Sequence, residues 1–497
     1  MKRSRLAVLW LSLLFVCGCF EDQDDNLIAA SEINDFVWKG MNFIYAYKDN
    51  IPDLANDRFT TDEDYNTYLN GFDSPEALFA SLLYAPNDVD EFSVIFPNYL
   101  ELEQLLQGTS LNNGMEFGLV RYPSNPQNVF GYVRYVLPNT SAESENVQRG
   151  MIFNAVDGVQ LTVDNFSALL FGANTNYTIG LAEYNNNGTS DPGDDTITSL
   201  DGEITLTKAP YTENPILLHK IINEGASKIG YLMYNGFRIA NSNLTELNSV
   251  FAEFANEGVT DLVLDLRYNG GGSVSTAIWL SSMITGQFTN QVMFKESWNS
   301  EIQAFFDAED PEITINRFED EMLKRDSSGS VIFQESINSL NLNKLYVLAT
   351  GATASSSELV INSLDPYINV VQIGTPTVGK PQASTTIYDS DDFGREGANP
   401  GHTYAMQPLI YEAANSLGVS NYYDGIQPSS GFFQPEDYGN LGVLGDVSEP
   451  LLARAISDIT GSGRVPIFIN SETLSAIPED RLKMPVQLEM TDNRKKF

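Results

Sequence analysis

Two stretches of this chain decide its fold and its chemistry: Thr353-Ala-Ser-Ser-Ser-Glu-Leu-Val-Ile-Asn362 and Ile373-Gly-Thr-Pro-Thr-Val-Gly-Lys-Pro381. The first predicts a serine, Ser355, at the start of a helix. The second places Lys380 directly after a short buried strand. A serine hydroxyl is a weak nucleophile until a base takes its proton, and a desolvated lysine amine is such a base. The chain has only two histidines, neither in a recognisable catalytic context. If the chain is a serine enzyme, Lys380 is therefore the better candidate base.

The beginning of the chain has the features of a secretion signal. A basic start is followed by an apolar run at residues 6–16 and then by Val16-Cys17-Gly18-Cys19. The apolar run is too short for an ordinary membrane span. This pattern resembles the bacterial lipobox, in which the last cysteine is acylated. It predicts a lipoprotein signal peptide at 1–18, lipidation of Cys19 and an acidic tether at 19–30. The alternative is ordinary signal cleavage that leaves Cys19 as a thiol.

The acidic residues 21–25 resemble the surface-export signals of Bacteroidetes-type lipoproteins, although a solvated linker would have the same composition. We therefore expect a bacterial outer membrane lipoprotein that faces the periplasm or the cell surface. We expect it to touch the membrane only through its lipid anchor.

The charge of the chain disfavours several partners. Loss of residues 1–18 removes three basic side chains and takes the formal net charge from −38 to −41. Such a chain would be repelled by nucleic acid phosphates and by anionic lipid headgroups. The mature chain would keep one cysteine, so it could form no internal disulfide, and no Cys/His cluster has metal-ligand spacing. We predict no metal and no cofactor.

Hydrophobic patterning divides the rest of the chain into four parts. Residues 31–108 have mainly helical periodicity, and residues 114–206 have short strands separated by turns. Residues 215–460 alternate strands with helices, which predicts a mostly parallel sheet covered on both faces. A long, less regular insertion at 286–340 interrupts this core. Residues 461–497 form a poorly defined extension.

Three loops follow strands of the predicted core, at Asn269–Gly272, Thr353–Ser357 and Gly374–Lys380. Ligands of α/β sheets bind at the carboxyl ends of strands, so these loops could converge on one site. The neighbouring Asp265 and Arg267 are interpreted as a structural salt bridge.

Each motif has a simpler explanation. Ser355-Ser-Ser-Glu358 fits a capping box, although a serine at a helix start also lies beside N–H groups that can hold an oxyanion. Gly374 to Lys380 has most of a phosphate-binding loop, but Pro381 stands where a Mg²⁺-binding hydroxyl is needed.

Together these stretches resemble the carboxyl-terminal processing (tail-specific) proteases, which join a PDZ module to an α/β peptidase core with a Ser-Lys dyad. The family's D-L-R-x-N-x-G-G appears as Asp265-Leu-Arg-Tyr-Asn-Gly-Gly-Gly272. Its S-A-S-E appears as Ser355-Ser-Ser-Glu358, and its G-x-x-T-x-G-K ends at Lys380. The resemblance covers 215–460 well. It implies an α/β peptidase core at 215–460 (a mostly parallel sheet with helices on both faces) and a PDZ-like β-rich module at 112–208. The N-terminal helical domain at 31–108 is predicted from its periodicity and is not explained by the family's core pattern.

The resemblance also implies roles for particular residues. Ser355 would attack the scissile carbonyl, and Lys380, deprotonated by burial, would take its proton. The backbone N–H groups of Gly271 and Ser356 would form the oxyanion hole. Many members have a glutamine four residues after the lysine that orients the amine. This chain has Ser384 there and Gln382 two residues earlier, so the orienting residue differs or is missing.

The PDZ-like module would bind an extended chain end by strand addition. A carboxylate loop at Gly114–Gly118 is one possibility, and use of the module as a lid or activator is another.

Three functions are therefore considered. The first is a lipid-anchored serine endopeptidase acting on unfolded or C-terminal protein segments. The second is a catalytically inactive lipoprotein that captures peptides with the same fold. The third is an accessory protein that binds surface glycans or nutrients. Natural substrate, oligomeric state and the role of 31–108 stay open.

Overall fold

A computed structural model describes residues 30–86, 88–189, 191–462, 474–482 and 485–494. The predicted signal peptide, Cys19 and nearly all of the acidic tether lie outside these residues. Within the described ranges, no helix has both the length and the apolarity needed to span a bilayer.

The N-terminal part is helical, as its periodicity predicts. The sequence Ser74-Pro75 has the pattern of a helix start, and a helix begins there: the Ser74 hydroxyl accepts the N–H of Ala77 at 3.2 Å, and Pro75 takes the first helical position. The elements are α1 Ala30–Ile44, α2 Asp62–Leu69, α3 Pro75–Ser81, β1 Val94–Phe96 and α4 Tyr99–Leu106.

This helical part is not independent of the rest. The apolar face of α1, including Phe36, Val37 and Met41, is buried in one hydrophobic cluster with residues of the α/β core. Strand β1 pairs with residues 405–407 of the core. These residues thus bury apolar surface against the core, and their assignment as an N-terminal helical domain at 31–108 stays a prediction.

The middle part forms an antiparallel sheet with its own hydrophobic cluster. The strand order is β3-β4-β5-β7-β8, and β6 pairs with β5 through a turn at Asp157-Gly158, where both residues have positive φ. A short helix between the strands begins at Phe166. The PDZ-like assignment of 112–208 stays a prediction. The elements are β2 Thr109–Asn112, β3 Met115–Arg121, β4 Val129–Val136, α5 Ser141–Ser144, β5 Ile152–Val156, β6 Val159–Gln160, α6 Phe166–Phe171, β7 Asn176–Asn185, β8 Thr196–Thr207 and β9 Ala209–Thr212.

The core contains one five-stranded sheet, one six-stranded sheet and two smaller ones. Its elements are β10 Ile216–Glu224, β11 Ser227–Tyr234, α7 Asn241–Asn256, β12 Asp261–Asp265, β13 Gly272–Ser273, α8 Val274–Thr285, β14 Val292–Trp298, α9 Ser300–Glu309, β15 Ile315–Arg317, β16 Glu321–Arg325, β17 Val331–Ser336, β18 Lys344–Ala349, α10 Ser356–Leu364, β19 Asn369–Gly374, β20 Gln382–Ser384, β21 Ile387–Tyr388, β22 Ala405–Gln407, β23 Leu409–Asn415, α11 Pro450–Thr460, α12 Glu479–Leu482 and β24 Met490–Thr491.

The first sheet has the predicted mostly parallel form. Its order is β10-β11-β12-β18-β19, and only β10 is antiparallel to its neighbour. Alternate residues of the central strands join two different hydrophobic clusters. One cluster contains α7, α8 and α10, and the other contains α11. Helices therefore cover both faces, as expected.

The second sheet was not predicted. Its order is β13-β24-β20-β23-β14-β15. The insertion at 286–340 supplies β14 and β15, so it is more regular than its sequence indicates. The supposedly undefined extension supplies β24, whose two residues are inserted between β13 and β20. Strands this short carry too little periodicity to be recognised from sequence.

Asp265 and Arg267 form the predicted salt bridge, and the structure adds more partners. The guanidinium lies 2.9 Å from Asp265 Oδ2, 2.7 Å from Glu449 Oε1 and 3.4 Å from Glu436 Oε1, and Arg267 and Asp265 are fully buried. Glu449 also caps α11 by accepting the N–H of Leu452. This cluster joins the end of β12 to α11 just before the glycine loop begins.

Replacement of Arg267 by methionine should keep most of the side-chain volume but leave buried carboxylates unpaired. We expect the free energy of unfolding in urea to fall by about 3–5 kcal/mol, the usual cost of breaking a buried ion pair. The control is Lys39→Ala, which removes an exposed pair with Asp35 and should cost less than about 1 kcal/mol. Equal losses in the two variants would contradict a structural role for the buried cluster.

Candidate active site

Ser355 lies in the turn between β18 and α10. It is fully buried and has a φ of 62° and a ψ of −114°. Such a backbone conformation costs a residue other than glycine about 1–3 kcal/mol and persists only where surrounding contacts enforce it. The Ser355 Oγ has no hydrogen-bond partner among the described residues. A strained turn that presents an unpartnered hydroxyl at a helix start is typical of a nucleophile.

The capping-box interpretation of Ser355 is correct in part. The Ser355 backbone N–H donates to Glu358 Oε2 at 2.6 Å, which is the glutamate half of the box. The hydroxyl lies toward the Glu358 N–H as in the serine half, but without the geometry of a hydrogen bond. The Ser355 Oγ is therefore not used to cap the helix.

The same glutamate joins the serine turn to the lysine loop. The buried Glu358 carboxylate accepts the N–H of Gly379 at 2.7 Å and the N–H of Lys380 at 2.9 Å, in addition to that of Ser355. Burial raises the pKa of Glu358, and these hydrogen bonds oppose the rise. The phosphate-loop interpretation is wrong, because two N–H groups that would face a phosphate are bound to this carboxylate.

Lys380 is also fully buried. Its Nζ lies 2.9 Å from Glu489 Oε2, a distance typical of an ion pair but without hydrogen-bond geometry. The Nζ also lies 4.6 Å from the centre of the Phe92 ring. Burial lowers the pKa of Lys380, while Glu489 and, more weakly, Asp90 and Glu358 oppose the shift. The amine is thus desolvated as expected, but a carboxylate is beside it.

The glycine loop lies against the serine turn. The N–H of Ala354 donates to the Asn269 carbonyl at 3.0 Å, and the Ser357 hydroxyl donates to the same oxygen at 3.1 Å. The Ser356 hydroxyl donates to the Gly272 carbonyl at 2.7 Å. On the other side, the Val378 N–H donates to the Thr353 carbonyl at 3.0 Å. The three loops singled out from the sequence therefore do converge.

One predicted oxyanion donor is occupied in this structure. The Gly271 N–H donates to Asn269 Oδ1 at 2.8 Å, so its assignment as a free donor is corrected here. The cause is local, since a side chain two residues earlier reaches back to that N–H. The next N–H, that of Gly272, donates to the Glu489 carbonyl at 2.7 Å. The assignment of the Ser356 N–H to the oxyanion hole stays a prediction.

The expected contact between the two catalytic candidates is not made directly. Neither the Ser355 Oγ nor the Lys380 Nζ has a hydrogen-bond partner among the described residues, so they are not bonded to each other. Glu489 holds the amine instead. Their backbones are nevertheless fixed together by Glu358, so the two side chains belong to one buried site.

The two candidates for the orienting residue differ in position. The Ser384 hydroxyl donates to Glu489 Oε2, the same oxygen that approaches Lys380. Gln382 instead donates to the Tyr47 hydroxyl at 2.8 Å, toward the N-terminal helices. Ser384 is therefore connected to the Lys380 amine through the Glu489 carboxylate, whereas Gln382 is not.

The proposed carboxylate loop at Gly114–Gly118 fits poorly. Its first two N–H groups are bound by side chains, Gly114 to Asn112 Oδ1 at 2.6 Å and Met115 to Asn113 Oδ1 at 3.0 Å. Glu116 adds a negative charge. Gly114 is explained by packing, because a Cβ there would lie 1.9 Å from the Thr140 hydroxyl oxygen.

Sequence reasoning missed three residues that surround Lys380: Asp90, Phe92 and Glu489. The first two precede β1, and Glu489 precedes β24 in the C-terminal extension. None of them stands in a motif, so no local signal could have identified them.

A cavity of about 810 Å³ lies beside the glycine loop. Gly270, Gly271 and Gly272 line one part of it, and Gln487 and Thr491 line another. Ser355 and Lys380 are not among its lining residues. The described ranges contain no cluster of His, Cys, Asp and Glu that could hold a metal ion.

Comparison with known proteins assigns two parts of the chain to a family. The model of peptidase family S41 matches residues 228–394, and that of the peptidase S41 N-terminal domain matches residues 32–94. Among solved structures, an S41 protease from Bacteroides fragilis has a TM-score of 0.63 and 23% identity, covering 86% of this chain and 97% of its own. A photosystem II D1 C-terminal processing protease has a TM-score of 0.49 and 18% identity, covering 89% and 100%. No curated protein matches the sequence significantly.

The fold and the site thus define a serine-type peptidase, a hydrolase. Residues 228–394 belong to peptidase family S41, and residues 32–94 belong to the N-terminal domain of that family.

Proposed function

We propose that the protein is an endopeptidase that cleaves unfolded or C-terminal protein segments with a Ser355–Lys380 dyad. The observation that carries the proposal is the common attachment of both residues to Glu358. A strained turn presents an unpartnered hydroxyl, and the same carboxylate fixes the backbone of a fully buried lysine. Neither a surface lysine nor a simple helix cap needs this arrangement.

The chemistry follows from the two side chains. Neutral Lys380 takes the proton of the Ser355 hydroxyl as its oxygen attacks the scissile carbonyl carbon. Backbone N–H groups at the start of α10 stabilise the oxyanion, aided by the positive end of the helix. The lysine ammonium then gives its proton to the departing amine. Water, activated by the same amine, hydrolyses the acyl-enzyme and restores the serine.

The substrate class is a polypeptide with an accessible backbone. The antiparallel sheet at 112–208 would present such a chain to the core as a PDZ-like module, by strand addition. The acidic surface argues against nucleic acid as a partner.

We also propose that the protein is a lipoprotein anchored at Cys19 in the bacterial envelope, with the PDZ-like and catalytic parts outside the bilayer. The basic start, apolar run and Gly18-Cys19 support this proposal.

Replacement of Cys19 by serine tests the anchor. The wild type should label with a fatty-acid probe and sediment with membranes, whereas Cys19→Ser should do neither, because serine offers no thiol for acylation. Cys17→Ser is the matched control and should keep label and location. Membrane sedimentation of unlabelled Cys19→Ser protein would contradict lipid anchoring.

Ser355→Ala tests the nucleophile. Cleavage of an unfolded protein such as reduced casein should fall by roughly 10³-fold or more, because no group remains to form the acyl-enzyme. Ser363→Ala, in the same helix, is the matched control and should retain activity. Residual cleavage near the wild-type rate in Ser355→Ala would refute the assignment. Absence of cleavage in every variant, across several unfolded substrates, would favour the inactive peptide-binding alternative.

The pH dependence tests the base. Only the neutral amine accepts a proton, so kcat/KM should rise with pH and level off above the pKa of Lys380. Because burial lowers that pKa, the midpoint should lie below the value of about 10.4 for free lysine. Lys380→Arg should be inactive, since a guanidinium stays protonated. Lys344→Arg, at a half-exposed pair with Asp458, is the control. A flat profile from neutral to alkaline pH would contradict this role.

A further inference from the structure

The segment Gln487–Asp492, here called the tail segment, lies across the candidate active site. Met490 and Thr491 pair in parallel with Gly272–Ser273 on one side and with Ala383–Ser384 on the other. The Gly272 N–H donates to the Glu489 carbonyl at 2.7 Å, and the Asp492 N–H donates to the Ser384 carbonyl at 2.9 Å. The tail segment is thus an added strand between the glycine loop and the strand that follows Lys380.

The glycines of the loop make room for that strand. A Cβ on Gly270 would lie 2.2 Å from the Gln487 carbonyl oxygen. A Cβ on Gly271 would lie 2.8 Å from the Glu489 carbonyl oxygen and 2.9 Å from the Ser355 Cβ. A single carbon atom at Gly271 would therefore touch both the Glu489 backbone and Ser355, so the tail segment lies next to the nucleophile. A face without side chains beside a nucleophile is what an extended polypeptide substrate needs.

The side chain of Glu489 reaches the base. Its Oε2 lies 2.9 Å from the Lys380 Nζ, and both residues are fully buried. A carboxylate at this distance favours the ammonium form of lysine, which cannot accept a proton. With the tail segment in place, Ser355 and Lys380 have no exposed surface, so no substrate carbonyl can approach the Oγ.

The contacts that hold the tail segment are specific. Asp492 accepts the Tyr411 hydroxyl at 2.8 Å. Arg494, which follows the tail segment, donates to Asp492 Oδ1 at 2.7 Å and to Asn316 Oδ1 at 2.6 Å. Leu488 and Met490 are fully buried. The cavity beside the glycine loop has Gln487 and Thr491 in its wall, so the tail segment lies at the boundary of that cavity.

We propose that the groove between Gly272–Ser273 and Gln382–Ser384 is the substrate-binding groove, and that the tail segment occupies it as an intramolecular inhibitor. This inference rests on the proposed peptidase function. A polypeptide substrate displaces the tail segment, takes its place as the central strand and removes the Glu489 carboxylate from Lys380. The resting chain is closed, and its activity is set by the fraction of molecules with an open groove.

Glu489→Gln in the full chain is the first test. The amide keeps an oxygen for the Ser384 hydroxyl but loses the charge beside Lys380. We expect kcat/KM on an unfolded protein to rise about tenfold or more, as the open fraction grows, and its rise with pH to begin at lower pH. If Glu489 instead positions Lys380 for catalysis, kcat falls at every pH, which overturns the proposal.

A binding experiment that needs no catalysis is the second test. A chain that ends at Leu482 and carries Ser355→Ala is mixed with a fluorescent peptide of the sequence 484–494. Fluorescence anisotropy should show saturable binding, weakened by about tenfold or more when the peptide has Gln in place of Glu489, because the buried ion pair is lost. Casein in excess should displace the peptide. A chain that ends at Arg494 keeps the tail segment and is the control, with no binding expected.

If the shortened chain does not give a cooperative melt, Asp492→Asn in the full chain replaces it. This variant should raise activity, because it weakens the contacts that hold the tail segment in the groove.

The outcomes separate the two proposals. If the wild type cleaves casein while the peptide neither binds nor inhibits, the proposal that the tail segment inhibits the enzyme is wrong. The proposed peptidase function is then unaffected. If the peptide binds as expected but no variant cleaves any substrate, the groove is a peptide-binding site and the proposed peptidase function is wrong. Loss of residues 490–497 from the wild type but not from Ser355→Ala, seen by mass spectrometry, makes the tail segment a substrate and overturns its role as an inhibitor.

Discussion

The site depends on one buried carboxylate. Glu358 accepts backbone N–H groups from both the serine turn and the lysine loop, which are more than twenty residues apart in sequence. Hydrogen bonds to a charged group contribute about 1.5–3 kcal/mol each, enough to offset the strain of about 1–3 kcal/mol at Ser355. Because the backbone supplies these donors, the carboxylate fixes the positions of both segments while leaving the Ser355 hydroxyl without a partner.

Electrostatics at Lys380 is a balance between burial and neighbouring charge. Removal of the amine from water disfavours its charged form and lowers its pKa, and Glu489 opposes this shift. The balance is sensitive to the position of one side chain, because a carboxylate that moves away leaves desolvation unopposed. A base whose strength depends on an adjacent, separately anchored segment can be controlled by that segment.

Distant parts of the chain complete the site. The N-terminal helices share a hydrophobic cluster with the core, and the segment between α3 and β1 places the Phe92 ring over the Lys380 amine. The C-terminal extension supplies Glu489 and a central strand of the second sheet. Neither part contains a catalytic motif, yet together they determine how far the Lys380 amine is shielded from water and how much negative charge lies beside it.

The sequence by itself determined the elements whose signals are local. Alternating strands and helices predicted the mostly parallel sheet with helices on both faces. Ser74-Pro75 indicated a helix start, and the proximity of Asp265 and Arg267 in sequence indicated their salt bridge. The spacing of Ser355, Glu358 and Lys380 indicated the site. Only the tertiary structure decided that Glu489 lies beside Lys380, that the Gly271 N–H is occupied, and that residues 31–108 share the core. Short-range periodicity and turn chemistry are written into neighbouring residues, whereas contacts between remote segments depend on the packing of the whole chain, which no local pattern encodes.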